Sequence, residues 1–416
     1  MFTLQRFGVV ARLWLVGIAL RMPILALPAV IASIKDELQL SATEVGVLTG
    51  LPVALFAFAA VPGSLLIARI GALSALLGGL LLTGIASGLR SASGDVTALY
   101  ATTMLMGLGV AVMQPALPPL VGMWLPRHVG FGTAVYTNGL LVGEILPVAI
   151  TAPMLPLIGG SWRVSLIMWS LPVLAIAGLV ALRAPRIDGK FEQRVRWWPD
   201  WRSGLIWQLG LMFGSATSMY FTSNGFLPIY LSSIGRSDMI GGALTALNVG
   251  QLPASLLLLV CADRLVRRAW PYLAAGILAL ASILVLVATA GPFILVASAL
   301  LGFCCGGILT LALALPPLVC APEDVAATSA AVFTLSYGCA ILVPIVSGSA
   351  WDLTGIPRFA FLPIAACAVL LMVLAARFDF RHAKTAQAAI GRNAKRGIPV
   401  RSHALPLTMG TRIAQP

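Results

Sequence analysis

Charge is what this sequence has least of. Only 10% of its residues are Asp, Glu, Lys or Arg, while 59% are hydrophobic and mean hydropathy is +0.97. An ordinary soluble domain carries about 25% charged residues, so this ratio cannot supply a solvated surface around a single core. Histidine is nearly absent, with His128, His382 and His403 the three copies. No carboxylates are paired for acid–base catalysis and no Gly-rich phosphate loop with its Lys is present, which argues against an enzyme or an ATP-driven engine within this chain. The six cysteines (Cys261, Cys304, Cys305, Cys320, Cys339, Cys367) lie in or at the ends of apolar stretches without metal-ligand spacing. They read as small packing residues, and neither a metal nor a cofactor is expected.

What the chain has instead is apolar runs of membrane length. About 20 apolar residues in a helix cross roughly 30 Å of hydrocarbon. Twelve such spans are predicted, at 8–33, 43–68, 72–90, 96–124, 130–156, 163–182, 203–231, 239–262, 270–289, 291–319, 326–350 and 358–378. The runs are continuous rather than alternating, which selects helices over a barrel. The first is too long for a cleaved signal segment and is interrupted by Arg21.

The spans fall into two copies of one unit. Leu-Pro-Pro-Leu-Val occurs at 117–121 and again at 315–319, a displacement of 198. Gly46-Val-Leu-Thr-Gly-Leu51 recurs as Gly242-Ala-Leu-Thr-Ala-Leu247, and Ala134-Val-Tyr-Thr137 as Ala331-Val-Phe-Thr334, displaced by 196 and 197. Collinear matches at one spacing mark an internal repeat. The expected fold is an all-α integral membrane protein, with twelve transmembrane helices in two six-helix pseudo-repeats. The expected divisions are a first bundle at 1–182, a linker at 183–202, a second bundle at 203–378 and a basic tail at 379–416. Parallel repeats of this kind put a transporter's site between the halves.

The net charge of +13 is a topology signal rather than a nucleic-acid one. With the amino terminus taken as cytoplasmic, 21 of the 27 Lys and Arg fall in segments on that side. Lys35, Arg90, Arg163, Arg236 and Arg358 fall on the other, and Arg21 inside the membrane. This asymmetry predicts both termini in the cytoplasm of an inner-membrane protein. The linker, with Trp197, Trp198 and many basic residues, suits contact with lipid headgroups. Membrane lipid is therefore an expected partner and nucleic acid is not; a monomer is expected.

Ionisable groups inside hydrocarbon are candidate functional residues. The predicted spans contain two, Arg21 about 13 residues into the first and Glu144 about 14 into the fifth, which places them at similar depth. Either they form an ion pair that locks the first repeat, or Arg21 anchors an anionic or electron-rich solute while Glu144 orients it or carries a coupled proton. Gln114, Asn138, Tyr220, Asn224, Asn248 and Gln251 add uncharged polarity within apolar spans, either as solute ligands or as bonds between helices. Gly139-Leu-Leu-Val-Gly143 has the small-xxx-small spacing of closely packed helices. Pro118-Pro119 and Pro316-Pro317 are expected to loosen the fourth and tenth spans.

Twelve helices in two halves with a basic central loop resemble the major facilitator superfamily. One family signature is a Gly-x-x-x-Asp-Arg-x-Gly-Arg-Arg type loop after the second and eighth helices. Asp263-Arg264-Leu-Val-Arg267-Arg268 matches it well; Ser64, Ala68, Arg69, Ile70 and Gly71 match poorly, with Ala68 in place of the acid. The resemblance implies a conformational latch at Arg69, Asp263, Arg264, Arg267 and Arg268, with its first copy impaired. Leu20-Arg21-Met-Pro-Ile-Leu, Leu48-Thr-Gly-Leu-Pro52, Gly109-Val-Ala-Val-Met-Gln114, Phe226-Leu-Pro-Ile-Tyr230 and Leu244-Thr-Ala-Leu-Asn-Val-Gly-Gln251 are similar to the cyanate and 2-nitroimidazole transporter family. That likeness implies secondary transport of a small anionic or weakly polar solute, with Arg21, Gln114, Tyr220, Asn224, Asn138 and Gln251 as solute ligands and Glu144 in support. A broad-specificity multidrug exporter competes with this reading, and a non-transporting solute sensor is a third. Two departures weigh against the exporter: Thr103, four residues before Gly107, stands where such exporters carry an Arg, and Gly143 is followed by Glu144 rather than Pro.

Overall fold

The computed structural model describes residues 4–27, 30–40, 42–184, 196–289 and 291–378. The expected tail and residues 185–195 of the linker lie outside them. The described residues form α1 (Leu4–Ala26), α2 (Ile31–Leu38), α3 (Ala42–Ile70), α4 (Ala72–Leu89), α5 (Val96–Trp124), α6 (Val129–Met154) and α7 (Trp162–Arg183) in the first half. The second half contains α8 (Gly204–Ser233), α9 (Ile240–Val249), α10 (Gln251–Leu265), α11 (Trp270–Ala288), α12 (Phe293–Leu313), α13 (Pro316–Val319), α14 (Val325–Thr354) and α15 (Leu362–Arg377).

Among the described residues, eleven segments are long and apolar enough to cross a membrane, α9 and α10 together making one of them. The twelfth crossing is α8, whose hydropathy is lowered by Ser215, Thr217, Ser218, Thr222 and Ser223, all buried. Helical hydroxyls can return a bond to their own backbone, and Ser215 and Thr217 do so to Leu211 O and Phe213 O. That lets a polar helix sit among apolar neighbours.

Two span ends differ markedly from expectation. The first span ends at Ala26 rather than 33, and Ile31–Leu38 is a separate amphipathic helix. Its apolar residues prolonged the hydrophobic run, while Lys35, Asp36 and Glu37 lie exposed. The tenth span ends at Leu313, because Pro316-Pro317 cannot continue it and instead begin α13. Its repeat partner Pro118-Pro119 lies inside α5, which runs unbroken from Val96 to Trp124.

The repeat is visible in the packing. α1 packs on α6 as α8 packs on α14, and α4 on α5 as α11 on α12. The halves meet through α3 with α14 and α6 with α10. They are most tightly joined at the end that carries the linker. There Val325 to Phe333 of α14 are all buried, whereas Leu342, Ile345 and Val346 further along are about half exposed.

The spacing Gly139-Leu-Leu-Val-Gly143 has a direct structural use. A Cβ at Gly139 would strike the carbonyl of Trp14, one at Gly143 the carbonyl of Ile18, and one at Gly17 the carbonyl of Tyr136. Only glycine lets the α1 and α6 backbones touch, and this contact sets Arg21 beside Glu144.

Candidate functional site

Between the halves lies a cavity of about 40 Å³ lined by Arg21, Glu144, Tyr220, Gln251 and Tyr337, with Thr217, Cys305 and apolar side chains completing the wall. That is room for a few water-sized groups. Helices from both repeats contribute. α1 brings Arg21 and α6 brings Glu144, while α8, α10 and α14 bring Tyr220, Gln251 and Tyr337.

Arg21 Nε stands 3.4 Å from Glu144 Oε1, with side-chain exposures of 12% and 23%. The contact is single rather than bidentate, so the guanidinium keeps other N–H groups for other partners. Its Nη2 donates to Tyr337 Oη at 3.3 Å, and its carbon lies 6.0 Å from the centre of the Phe56 ring. Gln114 donates to the same Tyr337 oxygen at 3.1 Å. Tyr337 is held in place by stacking on Phe333 and by a tilted contact with Phe56. A hydroxyl from the second half thus connects a cation and an amide of the first.

Tyr337 is the central residue that sequence reasoning missed. At the repeat offset its partner is Leu140, so no symmetry drew attention to it. The available signal was a tyrosine inside an apolar span, the same signal that singled out Tyr220.

The expected site residues separate into groups. Arg21, Glu144, Tyr220 and Gln251 line the cavity. Gln114 reaches it through Tyr337. Asn224 lies one turn beyond Tyr220 in a hydrogen-bonded relay: Asn224 Nδ2 donates to Tyr220 O at 2.9 Å, Asn248 Nδ2 to Asn224 Oδ1 at 3.0 Å, and Tyr220 Oη to Asn248 Oδ1 at 2.5 Å. Asn138 has both ends of its amide engaged, accepting from Trp14 Nε1 at 2.9 Å and donating to Ser255 Oγ at 3.1 Å. Its neighbour Thr137 meets Thr310 at 2.9 Å, so consecutive residues of α6 bond to α10 and α12 across the halves.

Arg90 needs a correction. Expected on the outer side, at the end of the predicted span 72–90, it lies inside the membrane-length segment Ala72–Ala92 and is fully buried, so Arg21 and Glu144 are not the only charges within the apolar segments. Its Nη2 donates to Pro23 O at 2.6 Å and to Ser87 Oγ at 2.8 Å. Pro23 lies in the last turn of α1, where carbonyls run out of helical partners, and a cation there is doubly favoured. Nearby, Trp162 Nε1 donates to Glu37 Oε2 at 2.6 Å and Arg163 pairs with Glu37 Oε1. These two donors hold the Glu37 carboxyl below the usual carboxylate range, Trp162 being the larger cause.

At the linker end Asp263 accepts from the backbone N–H of Phe131 at 3.1 Å and lies 3.4 Å from His128 Nδ1. It therefore caps the first turn of α6, bringing a carboxylate from the second half to an N-terminus of the first. Arg264 and Arg268 are exposed and Arg267 is half-buried. On the other copy Arg69 is exposed, and Ala68 supplies no acid. There the linker itself makes the crossing. Ser64 Oγ donates to Trp197 O, Arg196 N donates to Glu323 O at 3.2 Å, and Arg196 Nη1 lies 3.9 Å from Asp324. Among the described residues no cluster of His, Cys, Asp and Glu could hold a metal ion.

Comparison with known proteins places this arrangement. A sequence profile of the Major Facilitator Superfamily matches residues 13–242, more than half of the chain. An uncharacterized transporter, YycB, of Bacillus subtilis is 27% identical over 63% of this chain and 65% of its own length. A 2-nitroimidazole transporter of Escherichia coli is 27% identical over 58% of this chain and 62% of its own length. The matches thus span less than two thirds of these relatives. Among solved structures, the proton:xylose symporter XylE bound to 6-bromo-6-deoxy-D-glucose superposes with a TM-score of 0.72 at 13% identity, covering 90% of this chain and 95% of that one.

Proposed function

The chain belongs to the Major Facilitator Superfamily, and on that premise we propose that it is a secondary transporter moving a small anionic or weakly polar solute by alternating access. The observation that carries the proposal is the position of Arg21, deep between two membrane-embedded halves, in a cavity and engaged by only one carboxylate contact. A planar cation in that setting is an anchor for a small planar anion or an electron-rich group. The similarity to a 2-nitroimidazole transporter supports a solute of that size, and the resemblance to the cyanate transporters supports the same charge class.

Glu144 supplies the coupling in this reading. An arriving anion competes with its carboxylate for Arg21, and protonation of the carboxylate removes the competitor. Anion entry and proton uptake are then linked, as co-transport requires. The excess of Lys and Arg at the linker end argues that this end is cytoplasmic. The tight packing there, including the Asp263 cap on α6, then corresponds to a state closed toward the cytoplasm. Loss of the Asp263 cap and of the Asn138–Ser255 and Thr137–Thr310 bonds would accompany opening.

Proteoliposome counterflow tests the proposal, with radiolabelled cyanate and 2-nitroimidazole and with wild type beside Arg21→Ala. Accumulation of either solute by wild type, lost in a variant that keeps its gel-filtration profile, is expected. Undiminished counterflow in Arg21→Ala refutes the site assignment, and energy-dependent extrusion of hydrophobic cations in place of counterflow makes the protein a multidrug exporter.

A further inference from the structure

The hydrogen-bond directions around the cavity specify more than a charge. They assign opposite roles to its two tyrosine hydroxyls. Tyr337 Oη accepts from Arg21 Nη2 at 3.3 Å and from Gln114 Nε2 at 3.1 Å. Guanidinium and amide N–H groups can only donate, and a phenol oxygen has two acceptor positions and one proton. With both acceptor positions taken, Tyr337 has only its O–H left to offer, and it lines the cavity.

Tyr220 is fixed the other way. The order begins at a backbone carbonyl, which can only accept. Tyr220 O takes the Asn224 Nδ2 proton, so Asn224 Oδ1 is the atom turned toward Asn248. Asn248 Nδ2 spends its two hydrogens on Asn224 Oδ1 and, at 2.8 Å, on Leu244 O. Asn248 Oδ1 is left as the acceptor, and Tyr220 Oη must donate to it, at 2.5 Å. Both ends of this relay are main-chain carbonyls, so no flip of an amide can reverse it without breaking two bonds. The Tyr220 proton is committed, and its oxygen turns lone pairs to the cavity. Gln251 lines the cavity beside it, and the Tyr220 oxygen, its proton spent, can meet a ligand only as an acceptor.

We infer that the site selects, among small planar anions, those that carry their own hydrogen-bond donor, with the anionic group on Arg21 and the Tyr337 O–H and an N–H on Tyr220 Oη. This rests on the anion-transport reading and narrows it to N–H-bearing heterocyclic anions and compounds of like pattern. A ligand with acceptors alone leaves the Tyr220 oxygen facing a second lone pair. Buried polar groups left without a partner are the strongest source of discrimination between near-isosteres. Asn224 and Asn248 then act as positioning residues, since they hold the Tyr220 proton away from the ligand.

Pyrrole-2-carboxylate and furan-2-carboxylate differ by N–H against O at one ring position and are otherwise nearly the same size. Their dissociation constants would be measured by titration calorimetry on the purified full chain in detergent. Wild type is expected to bind the pyrrole roughly five- to tenfold tighter. Tyr220→Phe should bring that ratio to near one, whereas Tyr337→Phe should weaken both probes by a similar factor and keep the ratio. Asn248→Leu, which frees the Tyr220 hydroxyl to rotate, should also lower it. Equal affinities for the two acids, with both lost in Arg21→Ala, would overturn this inference and leave the anion reading standing. Binding of neither acid, or binding indifferent to Arg21→Ala, would overturn the anion reading and this inference together.

Discussion

Replacing Glu144 by Gln is predicted to move two properties in opposite directions. Arg21 and Glu144 are 3.4 Å apart. At an effective dielectric near 20, unit charges at that separation attract by about 5 kcal/mol. Both side chains are partly solvated, at 12% and 23% exposure, and both lose hydration on folding, so most of that attraction is offset. A net coupling of about 1–3 kcal/mol remains. Glu144→Gln leaves the guanidinium with Tyr337 and no countercharge, and stability should fall by about 2 kcal/mol. The same substitution removes the carboxylate that competes with an incoming anion. Since 1.4 kcal/mol is a factor of ten, anion affinity should rise roughly five- to tenfold. Unfolding in mixed SDS–detergent micelles of wild type, Glu144→Gln, Arg21→Gln and the double variant gives the coupling. Calorimetric titration with furan-2-carboxylate gives the affinity. Wild-type affinity should also climb as pH falls, and Glu144→Gln should be flat. A Glu144→Gln protein that binds the anion more weakly, with unchanged pH dependence, would refute the competition on which the coupling scheme stands.

Three further outcomes are expected. Asn138→Leu combined with Thr137→Val removes two bonds between the halves, worth about 0.6 kcal/mol each, and should raise the population open at the linker end roughly eightfold; labelling of a cysteine introduced at Gly122 reports it, and an unchanged rate contradicts it. Gly139→Ala drives a methyl into the Trp14 carbonyl, so α1 and α6 must part and stability should drop by about 1–3 kcal/mol or more, with weaker anion binding as Arg21 shifts from Glu144; a variant as stable as wild type would show the helices free to yield. The Glu37 carboxyl is held below its unfolded range, so its stabilising effect is present near neutral pH and is lost as pH falls through its folded-state value; Glu37→Gln should therefore flatten the acid side of the melting-temperature profile below about pH 4–5, and an unaltered profile would assign the acid sensitivity elsewhere.

The architecture was legible because membrane spans are written in long unbroken runs and the repeat in collinear identities. Arg21 and Glu144 were legible for the opposite reason, as charges out of place in hydrocarbon. The spacing of Gly139 and Gly143 announced a close helix contact but not which helix would make it; α1 does, through the Gly17 region. Arg90 escaped because it sits at a span end, where a charge normally meets water, and its burial goes with the early end of α1, where the Pro23 carbonyl accepts from it. Tyr337 and Asn248 were visible as residue types, but their roles depend on which groups from other helices meet them. Asn138 shows the same limit. An amide in an apolar helix can face a solute or a neighbouring helix, and in the folded chain it joins Trp14 to Ser255. Bond direction, unlike periodicity, is a property of the assembled site.

The most direct test of the central claim is a crystal structure of the protein with 4-iodopyrrole-2-carboxylate, its iodine located by anomalous scattering. The account predicts a single strong peak in the cavity between the halves, with the carboxylate on Arg21 and Tyr337 and the Arg21–Glu144 contact lengthened beyond 3.4 Å. A peak elsewhere, with Arg21 still on Glu144, would make that pair a structural lock and move the solute site away from it.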